Sequence, residues 1–264
     1  MPPDLAFWLA LAAKMLVTAG VVVTASLIAE RAGPLIGSLI ATLPVSTGPA
    51  YVVLALDKDS AFIAHSALGT FVTTIGTALF ALVYAAVAQR HGQAVSLLAA
   101  QATWLAFALG SRQVDWTILG AGLLAAAVFA ACVLLSRPFR HARMPPPQRR
   151  WYDVPLRAGM VAALVLAVVA LSDAFGPYAT GILAGVPVVF TSLILILPSR
   201  VGSLPTAAVI AHSISGLIGF EIALGALHLT AVPLGVPAAL AVGLAICVGW
   251  NLLLFSVRRR AGAR

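Results

Sequence analysis

Residues 30–45 and 173–188 are two versions of one sequence. The first reads Glu30-Arg-Ala-Gly-Pro-Leu-Ile-Gly-Ser-Leu-Ile-Ala-Thr-Leu-Pro-Val45. The second reads Asp173-Ala-Phe-Gly-Pro-Tyr-Ala-Thr-Gly-Ile-Leu-Ala-Gly-Val-Pro-Val188. They align at a constant offset of 143 residues, which also relates Lys14 to Arg157. A second pair follows, Ile63-Ala-His-Ser-Ala-Leu-Gly69 and Ile210-Ala-His-Ser-Ile-Ser-Gly216, at an offset of 147. A chain that repeats in this way builds two copies of one unit. Here both copies are apolar, and duplicated membrane halves are a recurrent transporter architecture.

The apolar character decides the solvent. The chain is 61% hydrophobic and 9% charged, with a mean hydropathy of +1.05. A soluble domain of this length needs far more charge to cover its surface. The continuous Ala/Leu-rich runs are of the length that spans a bilayer as helix, and they lack the alternation of membrane strands. The pattern predicts nine spans, at 6–29, 34–56, 61–88, 94–110, 116–136, 154–174, 177–198, 205–229 and 232–257. The N-terminal run has no basic leader and is duplicated at 154–174, so it reads as part of the fold rather than a signal peptide. The one long connection, 137–153, is basic and proline-rich, the composition of an extended surface linker. The resulting organisation is a first membrane repeat over 1–110, a linker helix and basic loop over 111–153, and a second repeat over 154–264. Cys132 and Cys247 both fall inside spans, with no disulfide framework and no CxxC spacing for a metal.

Basic residues set the orientation. With the 137–153 loop in the cytoplasm, that side carries Arg31, Arg90, Arg137, Arg140, Arg143, Arg149, Arg150, Arg200, Arg258, Arg259, Arg260 and Arg264. The opposite side carries only Lys58 and Arg112. This bias predicts an outside N-terminus and a cytoplasmic C-terminus. Asp4, Asp57, Asp59, Asp115 and Asp173 tilt the other way. The net charge of +8 is thus a topology signal rather than a nucleic-acid surface. Spans one to four then start outside and spans six to nine start inside. The fold expected is all-α: two inverted four-helix repeats joined by span five.

Candidate binding residues follow from the repeat. Pro44 and Pro187 lie at matching positions roughly ten residues into spans two and seven, and a proline inside a helix costs about 3 kcal/mol unless neighbours compensate. In the first copy, Pro44-Val-Ser-Thr-Gly-Pro49 reads as one half-helix ending and another beginning near Ser46 or Thr47, beside Gly48. The new N-terminus presents free N–H groups, which favour an anionic group. The second copy, with Thr191 and Ser192, carries weaker break signals, those of a kinked helix. Glu221 is the deepest acid, aligned with Thr74. A carboxylate at helix centre costs about 2.5–3.5 kcal/mol on insertion scales, so Glu221 either faces a cavity, in proton coupling or cation binding, or is a neutral acid bonded between helices or set nearer the outer interface. Lys14 and Arg157 read first as snorkelling cations and second as symmetric anion contacts. Glu30 and Asp173 read as interfacial caps before the Gly-Pro turns. His65 and His212, each followed by serine, sit early in spans three and eight, where a histidine either titrates near neutral pH or bonds a neighbouring helix. Gly37, Gly69, Gly181, Gly216 and Gly219 read as close-packing points. Gln101 and Asn251 are further intramembrane polar groups. No HExxH, GxSxG or Walker loop occurs, and the loops are too short for a soluble catalytic domain.

At the Gly-Pro-x-x-x-Gly-x-Leu/Ile-Ala-x-x-Pro stretch, with Lys14, Glu30, Gly37 and Pro44 around it, the chain resembles the small GlpM-type bacterial membrane proteins, as a fused tandem over about three spans of each half. The resemblance implies the bacterial inner membrane and no assigned activity. Three functions are open at this point. The first is a secondary transporter or facilitator of a small polar or anionic solute, bound where the two proline-broken helices meet and coupled through Glu221, with no cofactor or metal. The second is a lipid-handling intramembrane protein or enzyme using the His-Ser pairs. The third is a non-catalytic scaffold subunit docked through the basic loop. Membrane lipids are partners in each, and the small-residue faces also suit a homo-oligomer.

Overall fold

The computed structural model describes Gly20 and residues 47–140 and 152–262. Among these the chain is helical without strands. We number the helices α1 (Thr47–Leu54), α2 (Ser60–Val87), α3 (Gln93–Ser111), α4 (Ile118–Leu135), α5 (Asp153–Ala184), α6 (Val188–Ile196), α7 (Pro198–Val201), α8 (Ser203–Leu234) and α9 (Val236–Gly262). Six helices among the described residues are long and apolar enough to cross a membrane. They are α2, α3, α4, α8, and the Ala158–Ala184 and Val236–Val257 stretches of α5 and α9. This is the make-up of a multi-pass membrane protein. Of the nine expected spans, 6–29 and most of 34–56 lie outside the described residues.

Local chemistry sets the ends of these helices. Asp59 caps α2 by accepting from the Phe62 N–H at 2.7 Å, and Thr117 caps α4 by accepting from Gly120 at 3.1 Å. Between α3 and α4 the polar turn around 112–116 is closed by the Trp116 indole, which donates to the Ser111 carbonyl at 2.9 Å.

The sequence reading and the structure part at residues 154–198. Two spans were expected there, the second merely kinked. Instead α5 runs from Asp153 through a corner at Gly176 (φ +73°, ψ 177°), continues helically over 177–184, and stops at Gly185. The positive φ suits glycine, which has no Cβ to clash. After Gly185, α6 restarts at Val188 with Pro187 as its N-cap residue. The stretch expected as span seven is therefore a broken helix of two short pieces, 177–184 and α6.

The packing centre is α2, the most buried of the candidate spans. Two sets of contacts fix its neighbours. Ser66 bonds the carbonyl of Pro177, Thr70 that of Gly181, and Thr73 lies against Gly185, so the 177–184 piece runs parallel to α2. His228 bonds the Ala64 carbonyl and Gly225 lies against Phe71, so α8 runs antiparallel to α2. The close approach of 177–184 depends on glycine. A Cβ built on Gly181 would overlap the Ser66 backbone carbonyl, and one on Gly69 would overlap that of Tyr178. On the far side of α8, α9 packs with Trp250 over Gly219, its indole donating to the Ser215 carbonyl at 2.8 Å.

Candidate functional site

The break in span seven leaves backbone groups without helical partners. The last carbonyls of 177–184 need donors, and the first N–H groups of α6 need acceptors. Within a bilayer water cannot supply either, so the protein itself must. The Gly185 N–H bonds the Gly181 and Ile182 carbonyls and the Val186 N–H that of Leu183, and hydroxyls from elsewhere in the chain add to these. Thr47, the first residue of α1, donates to Ala184 at 3.3 Å. Thr70 donates to Gly181 at 2.8 Å. Thr70 spends its one proton there, so the 2.7 Å contact with Tyr51 has the phenol donating. A chain Tyr51–Thr70–Gly181 results, with all three groups buried between α1, α2 and the break.

The α6 side is held by a second chain. Thr191 donates to the Pro187 carbonyl at 2.8 Å and accepts from Gln101 Nε2 of α3 at 2.7 Å. Ser192 is buried and donates to Val189 at 2.7 Å. Gln93 reaches the Ile194 carbonyl at 2.9 Å, and the Phe190 ring stacks on Phe80 of α2 with centroids 6.3 Å apart. Gln101 thus moves from a peripheral polar residue to a direct partner of the broken helix.

Sequence-predicted residues fall into three groups. Thr47, Gly48, Pro187, Thr191 and Ser192 gather on α1, the break and α6, with Thr47 and Pro187 on either side of the Ala184 turn. Pro44, Ser46 and Lys14 lie outside the described residues, as does the side chain of Arg157. His65 and His212 are both exposed. They sit at opposite ends of the bundle, His65 beside Ala61 in the second turn of α2 and His212 against the Arg140 carbonyl at 3.2 Å. Asp173 is paired with Lys58, whose ammonium also lies 5.1 Å from the Phe62 ring centre. Both ionic partners had been assigned to one membrane side, and the pair puts them at one end of the bundle.

Glu221 is 5% exposed, and neither carboxylate oxygen has a hydrogen-bond partner among the described residues. Its depth follows from the register of α2 and α8. The contacts at Ala64–His228 and Phe71–Gly225 put Glu221 level with residues 71–75, at the middle of α2. With 28 residues α2 is about 42 Å long, against about 30 Å of hydrocarbon, so its middle is the membrane midplane. An unpaired polar group at that depth costs several kcal/mol.

One residue escaped the sequence reading. His228 of α8 is half-buried, and its Nδ1 is 2.7 Å from the Ala64 carbonyl. The available signal was its spacing, since Glu221, Gly225 and His228 stand at i, i+4 and i+7 on one helical face. No group of three or more metal-ligating side chains occurs among the described residues. Comparison with family models, with characterised proteins and with solved structures returns no match.

Proposed function

We propose that this chain is a secondary transporter or facilitator of a small polar or anionic solute, and that the solute binds at the break in span seven. The observation that carries the reading is the interrupted helix itself. A membrane helix that stops at Gly185 and restarts at Val188 exposes backbone groups that lipid cannot satisfy, and such breaks persist where they line a binding site. The N–H groups at the start of α6 suit an anionic or carbonyl oxygen. Thr47 and Thr191 flank them. Glu221, buried and without a hydrogen-bond partner among the described residues, is the coupling group for a proton or cation.

The inverted repeat belongs to the same proposal. The helices that carry the two His-Ser motifs, α2 and α8, pack antiparallel, as oppositely oriented copies must. Glu221 and its sequence equivalent Thr74 then lie level with one another, where a pseudo-two-fold axis would pass. Rocking of one repeat against the other about this axis provides alternating access. On this reading the chain has nine spans in a bacterial inner membrane with the C-terminus inside, and its relation to GlpM-type proteins is that of a fused tandem.

The test is ligand-dependent melting of the purified chain in detergent, at two pH values, against phosphate, sulfate, carboxylates, amino acids and monovalent cations. A saturable rise that weakens in Thr47→Ala, and that persists but loses its pH dependence in Glu221→Gln, supports the proposal. Stabilisation by lipid headgroups alone, unchanged in both variants, overturns it in favour of lipid handling.

A further inference from the structure

We propose that His228 and Phe71 form a gate that admits protons to Glu221 from the Lys58 end of the bundle. The inference rests on the reading of Glu221 as a coupling group, and it adds the route, the side and the residues that control it.

Glu221 must exchange a proton to couple, and both its oxygens are sealed from the surface. The two directions along α8 differ. Toward the Arg200 end the same helical face continues through Leu217, Ile214 and Ile210, all apolar, with Ile214 and Ile210 fully buried. Toward the Lys58 end it continues through Gly225 to His228. A chain of carbon side chains conducts no proton, so on this face of α8 the side that offers a carrier among the described residues is the polar one.

His228 is arranged to be that carrier. Its Nδ1 faces the Ala64 carbonyl, which accepts only, so the neutral ring carries its proton on Nδ1. Nε2 is then the basic nitrogen. It has no partner among the described residues and is not among the sealed polar atoms. The ring sits level with the first turns of α2, near the membrane boundary. The charged groups at this end of α2 are otherwise engaged or turned away. Asp59 caps α2, Lys58 holds Asp173, and His65 is exposed and faces Ala61. Asp57 has a partner of its own. The described side chains of α9, which also packs on α8, bring no charged group, nor do those of α4, and the Arg137–Arg140 turn meets α8 at His212, at the far end.

His228 and Glu221 stand seven positions apart, about 10 Å along the helix, too far for direct transfer. The space at Gly225 would hold bridging water, but the Phe71 ring lies over it. A Cβ built on Gly225 would stand 3.2 Å from that ring. Phe71 is 7% exposed. The ring is therefore a plug, and glycine at 225 is what gives it a seat. When the ring swings off Gly225, water connects Nε2 to the carboxylate. The imidazolium then gives its Nε2 proton through that water to a Glu221 oxygen and returns to the neutral ring. When the ring seats, the carboxyl is isolated with its proton.

The test reads the carboxyl directly. The full-length chain in lipid bilayers is transferred from H₂O to D₂O, and the infrared carbonyl band of the protonated carboxyl that disappears in Glu221→Gln is followed in time. Exchange should slow by about 100-fold in His228→Gln, the lower end of what a positioned acid–base group contributes. It should quicken in Phe71→Ala and become slow again in the Phe71→Ala/His228→Gln pair. Exchange that ignores His228 in both backgrounds overturns the route, and exchange that Phe71→Ala leaves unchanged overturns the plug. Absence of a protonated Glu221 band at neutral pH overturns the starting point. None of these outcomes depends on a solute, so a gate without any ligand in the melting panel would fault the transport reading and spare the gate. A ligand site with no His228 dependence would do the reverse.

Discussion

Replacing Gly181 with alanine tests how the broken helix is held. The added methyl would enter the backbone carbonyl of Ser66, and that carbonyl belongs to the second turn of a long helix. Backbone on both sides must separate rather than a side chain swing aside. Overpacking of this kind costs about 1–3 kcal/mol. Separation also stretches the bonds from Ser66 to Pro177 and from Thr70 to Gly181, now 2.9 and 2.8 Å. Interhelical bonds in membranes contribute about 0.6 kcal/mol each, so the combined loss is about 2–4 kcal/mol. Gly159→Ala on the same helix is the control, because nothing lies within 4 Å of a Cβ built there. That control should be neutral or stabilise by about 0.5–1 kcal/mol. Equilibrium unfolding in mixed micelles gives both numbers. If Gly181→Ala matched its control, the close contact between 177–184 and α2 would be refuted.

Further outcomes follow from the same geometry. Thr70→Val keeps the shape but strands the Tyr51 hydroxyl and a Gly181 carbonyl bond, and should cost about 1–3 kcal/mol. Tyr51→Phe in that background should add little, and a double-mutant cycle on unfolding free energy will read the coupling. Gln101→Leu should weaken any ligand that binds at the break, because Thr191 loses the donor that fixes it, and the melting shift measures this. Lys58→Ala should cost less than about 1 kcal/mol, since Asp173 is 86% exposed. Its effect should fade further in high salt, which thermal melts at two ionic strengths will show.

Much of this was legible in the chain. The apolar spans, the repeat and the small-residue contacts at Gly69, Gly181 and Gly219 all announce themselves locally, because each depends on residue type and spacing alone. The break at Pro187 was underestimated for a physical reason. Its stop signal, Gly185 at the helix end, precedes the proline, whereas the residues after the proline, Val188 to Phe190, favour no break. What holds the break open is remote in sequence. Thr47 is 137 residues from Ala184, Thr70 is 111 from Gly181, and Gln101 is 90 from Thr191. No local pattern encodes those partners. The burial of Glu221 was readable from its place in an apolar span, but its lack of a partner was not. His228 was passed over because a lone histidine near a helix end is unremarkable until Gly225 and Glu221 are seen on its face.

The most direct measurement is flux. The chain is reconstituted into vesicles with an imposed pH gradient, and uptake of the solute that raised its melting temperature is followed with a radiolabel. The account predicts saturable uptake that follows the gradient in the wild-type chain. Glu221→Gln should retain binding at the break while losing the response to the gradient. A solute that binds saturably yet never crosses, or uptake that follows the gradient equally well in Glu221→Gln, would contradict it.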